Sequence, residues 1–199
     1  MNKQSIMLSK EQIKNAGFLN VEEVADNIFY VKNFLSKEEI KFSIDLIKQI
    51  QEKQWTELNK HHNESFHNKF YDHNNNTINS FIQEKIYKIK PNLPGVVVHG
   101  FNRILRQLPK NHMEAHVDEI NDQPNGAIRE YAFVVYLNDD YEGGELSYLN
   151  LGIQIKPEAG SIMIFKTGPD YLHEVKTVLG DNARYCLPGF MFSSWIDKQ

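Results

Sequence analysis

Apolar positions in the first ninety residues recur at helical spacing. Ile40, Ile44, Ile47 and Ile50 form one stripe, and Ile78, Phe81, Ile82, Ile86 and Ile89 form another. Ser9-Lys10-Glu11-Gln12 and Ser36-Lys37-Glu38-Glu39 are capping-box patterns, and Gly17 suits a helix C-terminus. They predict a short helix after Ser9, a longer one after Ser36, and a third from about Thr77 to Lys90 that Pro91 and Pro94 end. Ile28-Phe29-Tyr30-Val31 is apolar throughout and reads as a strand. Trp55 to Asn76 is rich in His and Asn and poor in aliphatic residues, and reads as a long loop of the lid or binding type.

From Val96 onward the period changes. Short β-rich runs alternate with Gly, Pro, Asn and Asp, at about 96–108, 112–117, 130–138, 145–150, 153–156, 161–165, 171–178 and 184–196. In 131–137, Tyr131, Phe133, Val135 and Leu137 share one face and Ala132, Val134 and Tyr136 the other. Both faces are largely apolar, which predicts a central strand. Eight short strands after a helical segment predict an antiparallel barrel or jelly roll buttressed by helices. The expected organisation is one domain over 1–199, with 1–95 as mainly helical support and lid-like loop and 96–199 as the β core. The dipeptide Pro188-Gly189 in the last strand predicts a bulge.

Composition narrows the function classes. A length of 199 residues with 41% hydrophobic content suits one folded unit. A net charge of −4 argues against a broad nucleic-acid-binding surface. The single cysteine, Cys186, rules out an internal disulfide or Cys-rich zinc site and reads as a small buried apolar residue. No apolar run has a membrane-spanning length, and the opening eight residues carry no secretory pattern, so a cytoplasmic location is expected. Basic charge comes from 18 Lys and only four Arg, which makes Arg103, Arg106, Arg129 and Arg184 the more informative cations.

Chemistry concentrates in the β region. His116-Val117-Asp118 ends a predicted strand, and residues i and i+2 of a strand share a face, so an imidazole and a carboxylate converge. The pair alone reads more readily as a strand-end turn in which Asp118 caps backbone. His173, in another predicted strand, completes a set of two histidines and one carboxylate, the usual frame for non-haem Fe(II) oxygenases. Its other reading is a satisfied core histidine. Arg184 opens the last strand; a guanidinium inside a barrel needs an anion, and a dicarboxylate supplies one. Its other reading is a surface salt bridge. His61, His62, His67 and His73 match no zinc-finger spacing.

The order of His116-x-Asp118, Tyr136-Leu137-Asn138, Gly143-Gly144-Glu145-Leu146, His173-Glu174-Val175 and Arg184-Tyr185 resembles the 2-oxoglutarate- and Fe(II)-dependent dioxygenases, within them the prolyl 4-hydroxylase-like subgroup. The match covers roughly Asn102 to Trp195. The resemblance implies a double-stranded β-helix. It implies Fe(II) on His116, Asp118 and His173, and a 2-oxoglutarate carboxylate on Arg184 aided by Tyr136. It also implies O2 as co-substrate, with ascorbate as a further candidate. Many relatives carry a tyrosine on the strand before the His-x-Asp pair, and Gln107 to Ala115 contains none. The implied reaction is hydroxylation of a C–H bond, with 2-oxoglutarate and O2 giving succinate and CO2. A peptidyl proline is the leading substrate, with Trp55–Asn76 closing over it. The alternatives are hydroxylation of a free amino acid or other small molecule, and a non-catalytic barrel that binds an anion or partner protein. The oligomeric state is not legible.

Overall fold

The computed structural model describes residues 7–57, 69–72, 76–89, 96–99, 103–118 and 128–193. In chain order its elements are α1 (Lys10–Asn15), β1 (Val21–Ala25), β2 (Ile28–Val31), α2 (Lys37–Ile47), β3 (Thr56–Glu57), β4 (Lys69–Asp72) and α3 (Asn76–Ile89). There follow β5 (Val96–His99), β6 (Arg103–Gln107), β7 (Met113–His116), β8 (Arg129–Tyr136), β9 (Glu142–Gly143), β10 (Leu146–Tyr148) and β11 (Ile153–Ile155). The last are β12 (Ile162–Lys166), β13 (His173–Val175), β14 (Val178–Leu179) and β15 (Arg184–Ser193).

The helices begin where the capping boxes place them. Ser9 and Ser36 each accept from the backbone N–H three residues on, and the Gln12 and Glu39 side chains accept from the cap backbone in return. The first ninety-five residues are less helical than their periodicity suggests. Val21–Ala25 forms a second strand that pairs antiparallel with β2 across a turn at Asn27, and β2 pairs in turn with β12. Both ends of the predicted 55–76 loop are strands: β3 pairs with β4, and β4 with β6. Residues 58–68 and 73–75, with His61, His62, His67 and His73, lie outside the described residues.

A nine-stranded antiparallel sheet runs β1-β2-β12-β8-β15-β6-β4-β3, with β5 also on β15. A four-stranded sheet, β11-β10-β13-β7, faces it, and β14-β9 forms a small third ladder. The alternation in β8 sorts the core as the sequence pattern requires. Tyr131, Phe133, Val135 and Leu137 join Ile162, Ile164, Leu187 and the α3 isoleucines on the helix side. Ala132, Val134 and Tyr136 join Leu146, Tyr148, Met163, Phe165 and Cys186 between the sheets. Trp55 is buried on the helix side, stacked near Tyr71 and Tyr185, with the Arg106 guanidinium 4.3 Å above its ring. Glu52 accepts two hydrogen bonds from Arg106 at 2.9 Å. Trp55 and Arg106 therefore anchor the chain to the sheet's outer face rather than offering surface to a ligand.

The bulge expected at Pro188-Gly189 is absent there. Both residues keep register with Val134 and Phe133 of β8, and the irregularity falls between Met191 and Phe192. Pro188 sits in the gap between the stretch of β15 that pairs with β6 and the stretch that pairs with β5, so its missing N–H costs no ladder bond on that side. Gly189 has a packing reason: a Cβ there would lie 2.2 Å from the Phe133 ring. Gly189→Ala should therefore destabilise the fold by about 1–3 kcal/mol in urea unfolding, as overpacking does. Phe133→Leu in the same chain should recover part of that loss, whereas an unchanged midpoint for Gly189→Ala alone would contradict the close packing.

Candidate active site

The four-stranded sheet brings His116 and His173 together, because β7 and β13 pair with these two residues directly opposite each other. Their ring centroids are 4.4 Å apart. The strand ends at His116, and Asp118 follows where the chain leaves the sheet. Its two carboxylate oxygens lie 3.7 Å from His116 Nε2 and 3.7 Å from His173 Nε2. One ligand atom from each of the three residues falls within 4.8 Å of the others, a grouping that could hold a metal ion.

Local backbone bonds aim both rings. His116 Nδ1 lies 2.8 Å from the Glu114 carbonyl, and His173 Nδ1 lies 2.9 Å from the Tyr171 carbonyl. Each Nδ1 donates to its carbonyl and leaves the Nε2 lone pair facing Asp118, the tautomer a metal needs. Burial holds the His173 imidazole below its ordinary pKa, against the opposing pull of Asp118, so it is neutral and ready to ligate at neutral pH. The edge of Phe165, 4.9 Å between centroids, packs on the His173 ring and fixes its plane.

Arg184 lies on the facing sheet. It is 2% exposed, and its recorded hydrogen-bond partners are neutral: Nη1 donates to Gln107 Oε1, directly across the β15–β6 ladder, and contacts Cys186 Sγ at 3.5 Å. Its Nε has no hydrogen-bond partner among the described residues. The guanidinium carbon is 5.1 Å from the Tyr136 ring centroid, and the fully buried Tyr136 hydroxyl also has no partner. Burial raises the Tyr136 pKa, so it remains a neutral donor. Tyr136 is thus both a core ring and a free donor, which joins the two readings its sequence position allows.

The motif residues around Arg184 hold it in place. Asn138 Nδ2 donates to the Ala183 carbonyl at 2.7 Å, and its Oδ1 accepts from the Tyr185 N–H at 2.7 Å, clamping the chain on both sides of Arg184. Gly143 and Gly144 have φ of +62° and +66°, and a Cβ at Gly144 would press on the Tyr141 ring at 2.9 Å and on Arg184 Cδ at 3.2 Å. The pair makes the turn and leaves room for the guanidinium. Burial pushes the Cys186 thiol pKa up, so it is inert packing, as its sequence context suggests.

A buried guanidinium with only neutral partners is costly unless an anion meets it. Arg184 Nε and the Tyr136 hydroxyl are therefore suited to a carboxylate, and the residues present fit 2-oxoglutarate as well as Fe(II). Gln107 was not singled out by sequence reasoning. It occupies the strand where a tyrosine was missed, and its Nε2 is a further buried donor without a partner. Its one visible sign was the Arg106-Gln107 step at the end of an apolar strand. His99 lies on β5 with only its backbone described, and His112 lies just before β7. Arg129 Nη1 donates to the Asp118 carbonyl at 3.4 Å, and its guanidinium lies over the Phe190 ring at 3.8 Å from the centroid.

Comparison with known proteins agrees with this geometry. The family model of the 2OG-Fe(II) oxygenase superfamily matches residues 100–192. Prolyl 3-hydroxylase 2 of Homo sapiens is 34% identical over 62 residues, a match that covers 29% of this chain and only 9% of that protein. Among solved structures, the viral collagen prolyl hydroxylase of Paramecium Bursaria Chlorella virus-1, as its 2OG complex, aligns with TM-score 0.66 at 16% identity. That alignment covers 85% of this chain and 97% of that one. A Pseudomonas putida prolyl-4-hydroxylase aligns with TM-score 0.63 at 17% identity, covering 93% and 98%. A Trichoplax adhaerens prolyl hydroxylase, in complex with a hypoxia inducible factor oxygen degradation domain peptide fragment, aligns with TM-score 0.68 at 15% identity, covering 92% and 91%. These likenesses identify the fold as the double-stranded β-helix of the prolyl hydroxylases. In its matched segment, its fold and a site suited to Fe(II) and 2-oxoglutarate, the chain is similar to the 2OG-Fe(II) oxygenase superfamily.

Proposed function

We propose that the protein is an Fe(II)- and 2-oxoglutarate-dependent dioxygenase that hydroxylates a C–H bond of a peptidyl proline. The observation that carries the catalytic reading is the pairing of two features inside one barrel. Three ligand-type side chains converge on the smaller sheet, and a buried arginine without an anion waits on the larger one. A non-catalytic binding module has no need of both.

In this reading His116, Asp118 and His173 would hold Fe(II). Bound Fe(II) supplies the O2-activating chemistry, with 2-oxoglutarate and O2 giving succinate and CO2 as the substrate gains oxygen. The chain's own residues set geometry and access. Arg184 and Tyr136 bind and orient the distal carboxylate, the Nδ1 bonds keep both imidazoles in their ligating tautomer, and Phe165, Leu146 and Tyr148 keep water from the interior.

The peptide reading rests on the company the fold keeps: its structural relatives bear prolyl hydroxylase names, and one is bound to a peptide. The Arg129–Phe190 stack beside Asp118 adds a local reason, since a guanidinium over an aromatic face suits a backbone carbonyl and an apolar ring. The segments expected to fold over a peptide are Trp55–Asn76 and Glu119–Arg129, and of these 58–68, 73–75 and 119–127 lie outside the described residues.

Three outcomes are expected. His173→Ala should lose tight metal binding, read from the visible absorption of the Co(II)-loaded protein, and should lose turnover with it. Full retention of both would remove His173 from the ligand set. Arg184→Met should weaken 2-oxoglutarate roughly 30-fold or more. Stripping one partner from a buried charge pair costs about 2–5 kcal/mol, and each decade of affinity is about 1.4 kcal/mol. Unchanged affinity would place the anchor elsewhere. For the substrate, Pro-rich peptides should raise succinate release and gain one oxygen by mass spectrometry, with fragmentation locating it on a proline ring. Equal or better stimulation by free L-proline or another amino acid would replace the peptide reading with a small-molecule one.

A further inference from the structure

Tyr148 carries a hydroxyl that its packing does not need. It ends β10 directly opposite His173 on β13, with its ring 5.8 Å from the His173 ring and edge-on to Phe165 at 5.5 Å. The residue is 0% exposed, and a phenylalanine would fill the same space. The hydroxyl nevertheless has no hydrogen-bond partner among the described residues. A buried O–H left unpaired carries its full desolvation penalty, so its presence calls for a partner that the described residues do not provide.

The surroundings say what that partner is. Tyr148 stands beside the ligand His173 and shares one buried cluster with Tyr136 and Cys186 on the anchor side. It thus sits between the two halves of the site. The neighbouring backbone is already consumed: β10 is paired on both edges, and the Tyr148 carbonyl accepts from the Leu151 N–H. The unpartnered polar atoms nearby, Arg184 Nε, Gln107 Nε2, Tyr136 Oη and Tyr148 Oη, are all able to donate. Donors without acceptors suit a ligand made of acceptors, and each carboxylate offers about four lone-pair sites.

We propose that Tyr148 is a co-substrate-binding residue, donating a hydrogen bond to a carboxylate oxygen of 2-oxoglutarate in addition to the contacts from Arg184 and Tyr136. This rests on the Fe(II)/2-oxoglutarate reading of the site. It predicts an unusual sign: the hydroxyl is a burden to the empty protein and an asset to the loaded one.

The test uses the full chain with Co(II) in place of Fe(II), so that no turnover occurs. Wild type and Tyr148→Phe are titrated with 2-oxoglutarate by calorimetry, and both are melted with and without it. Tyr148→Phe should weaken 2-oxoglutarate binding by about tenfold or more, the effect of losing one hydrogen bond to a charged group. It should leave the melting temperature without 2-oxoglutarate unchanged or higher. Equal affinity in the two proteins would overturn the proposal while leaving the functional reading intact. A lower melting temperature without 2-oxoglutarate, or failure to fold, would also overturn it by making the hydroxyl structural. Absence of 2-oxoglutarate binding by the Co(II)-loaded wild type would overturn the functional reading itself.

Discussion

Arg184 is a permanent positive charge held inside a β-sandwich with no carboxylate to meet it among the described residues. Gln107 and Cys186 give it neutral contacts, and Tyr136 and Tyr141 place their hydroxyls nearby. None of these neutralises a guanidinium, whose pKa keeps it charged at any working pH. The rest of the fold supplies the stability that this costs. Two apolar layers, one between the sheets and one under the helices, close around β8, β12 and β15, and Asn138 locks the backbone on both sides of the arginine. A charge buried at such expense is suited to an anionic ligand, and fixing it beforehand lowers the cost of binding one.

The two sheets divide the chemistry. The smaller sheet is short-stranded, and its job is to set two histidines opposite each other across one ladder and to release the chain at Asp118. The larger sheet is long and rigid and carries the anchor. A ligand with a chelating end and a distal carboxylate is the kind of molecule that spans the two. Because each set is fixed by main-chain hydrogen bonding, its geometry depends little on loops.

Much of this was legible in the sequence, and the reasons are specific. The β8 alternation sorted Tyr131, Phe133 and Val135 from Ala132, Val134 and Tyr136 correctly, because a strand buried on both faces still obeys a period of two. The capping boxes at Ser9 and Ser36 located helix starts because their chemistry is local. What escaped was set by partners far away in the chain. Val21–Ala25 exposes Glu22 and Glu23 and gains strand character from pairing with β2. Pro188-Gly189 looked like a bulge, but one residue falls in a gap between partners and the other makes room for Phe133. Gln107 gave only the sign of a polar step at the end of an apolar strand, and Tyr148 gave none. A polar residue inside a strand reads as solvent-facing or core until its neighbours are known, and an unpaired donor can be recognised only in three dimensions.

The most direct measurement is diffraction at the iron absorption edge from crystals grown without oxygen in the presence of Fe(II) and 2-oxoglutarate. The expected result is one anomalous peak bounded by His116, Asp118 and His173, with the co-substrate reaching from it to Arg184. Iron bound elsewhere, or 2-oxoglutarate seated away from Arg184, would contradict the central claim that the buried arginine and the three ligands form a single site.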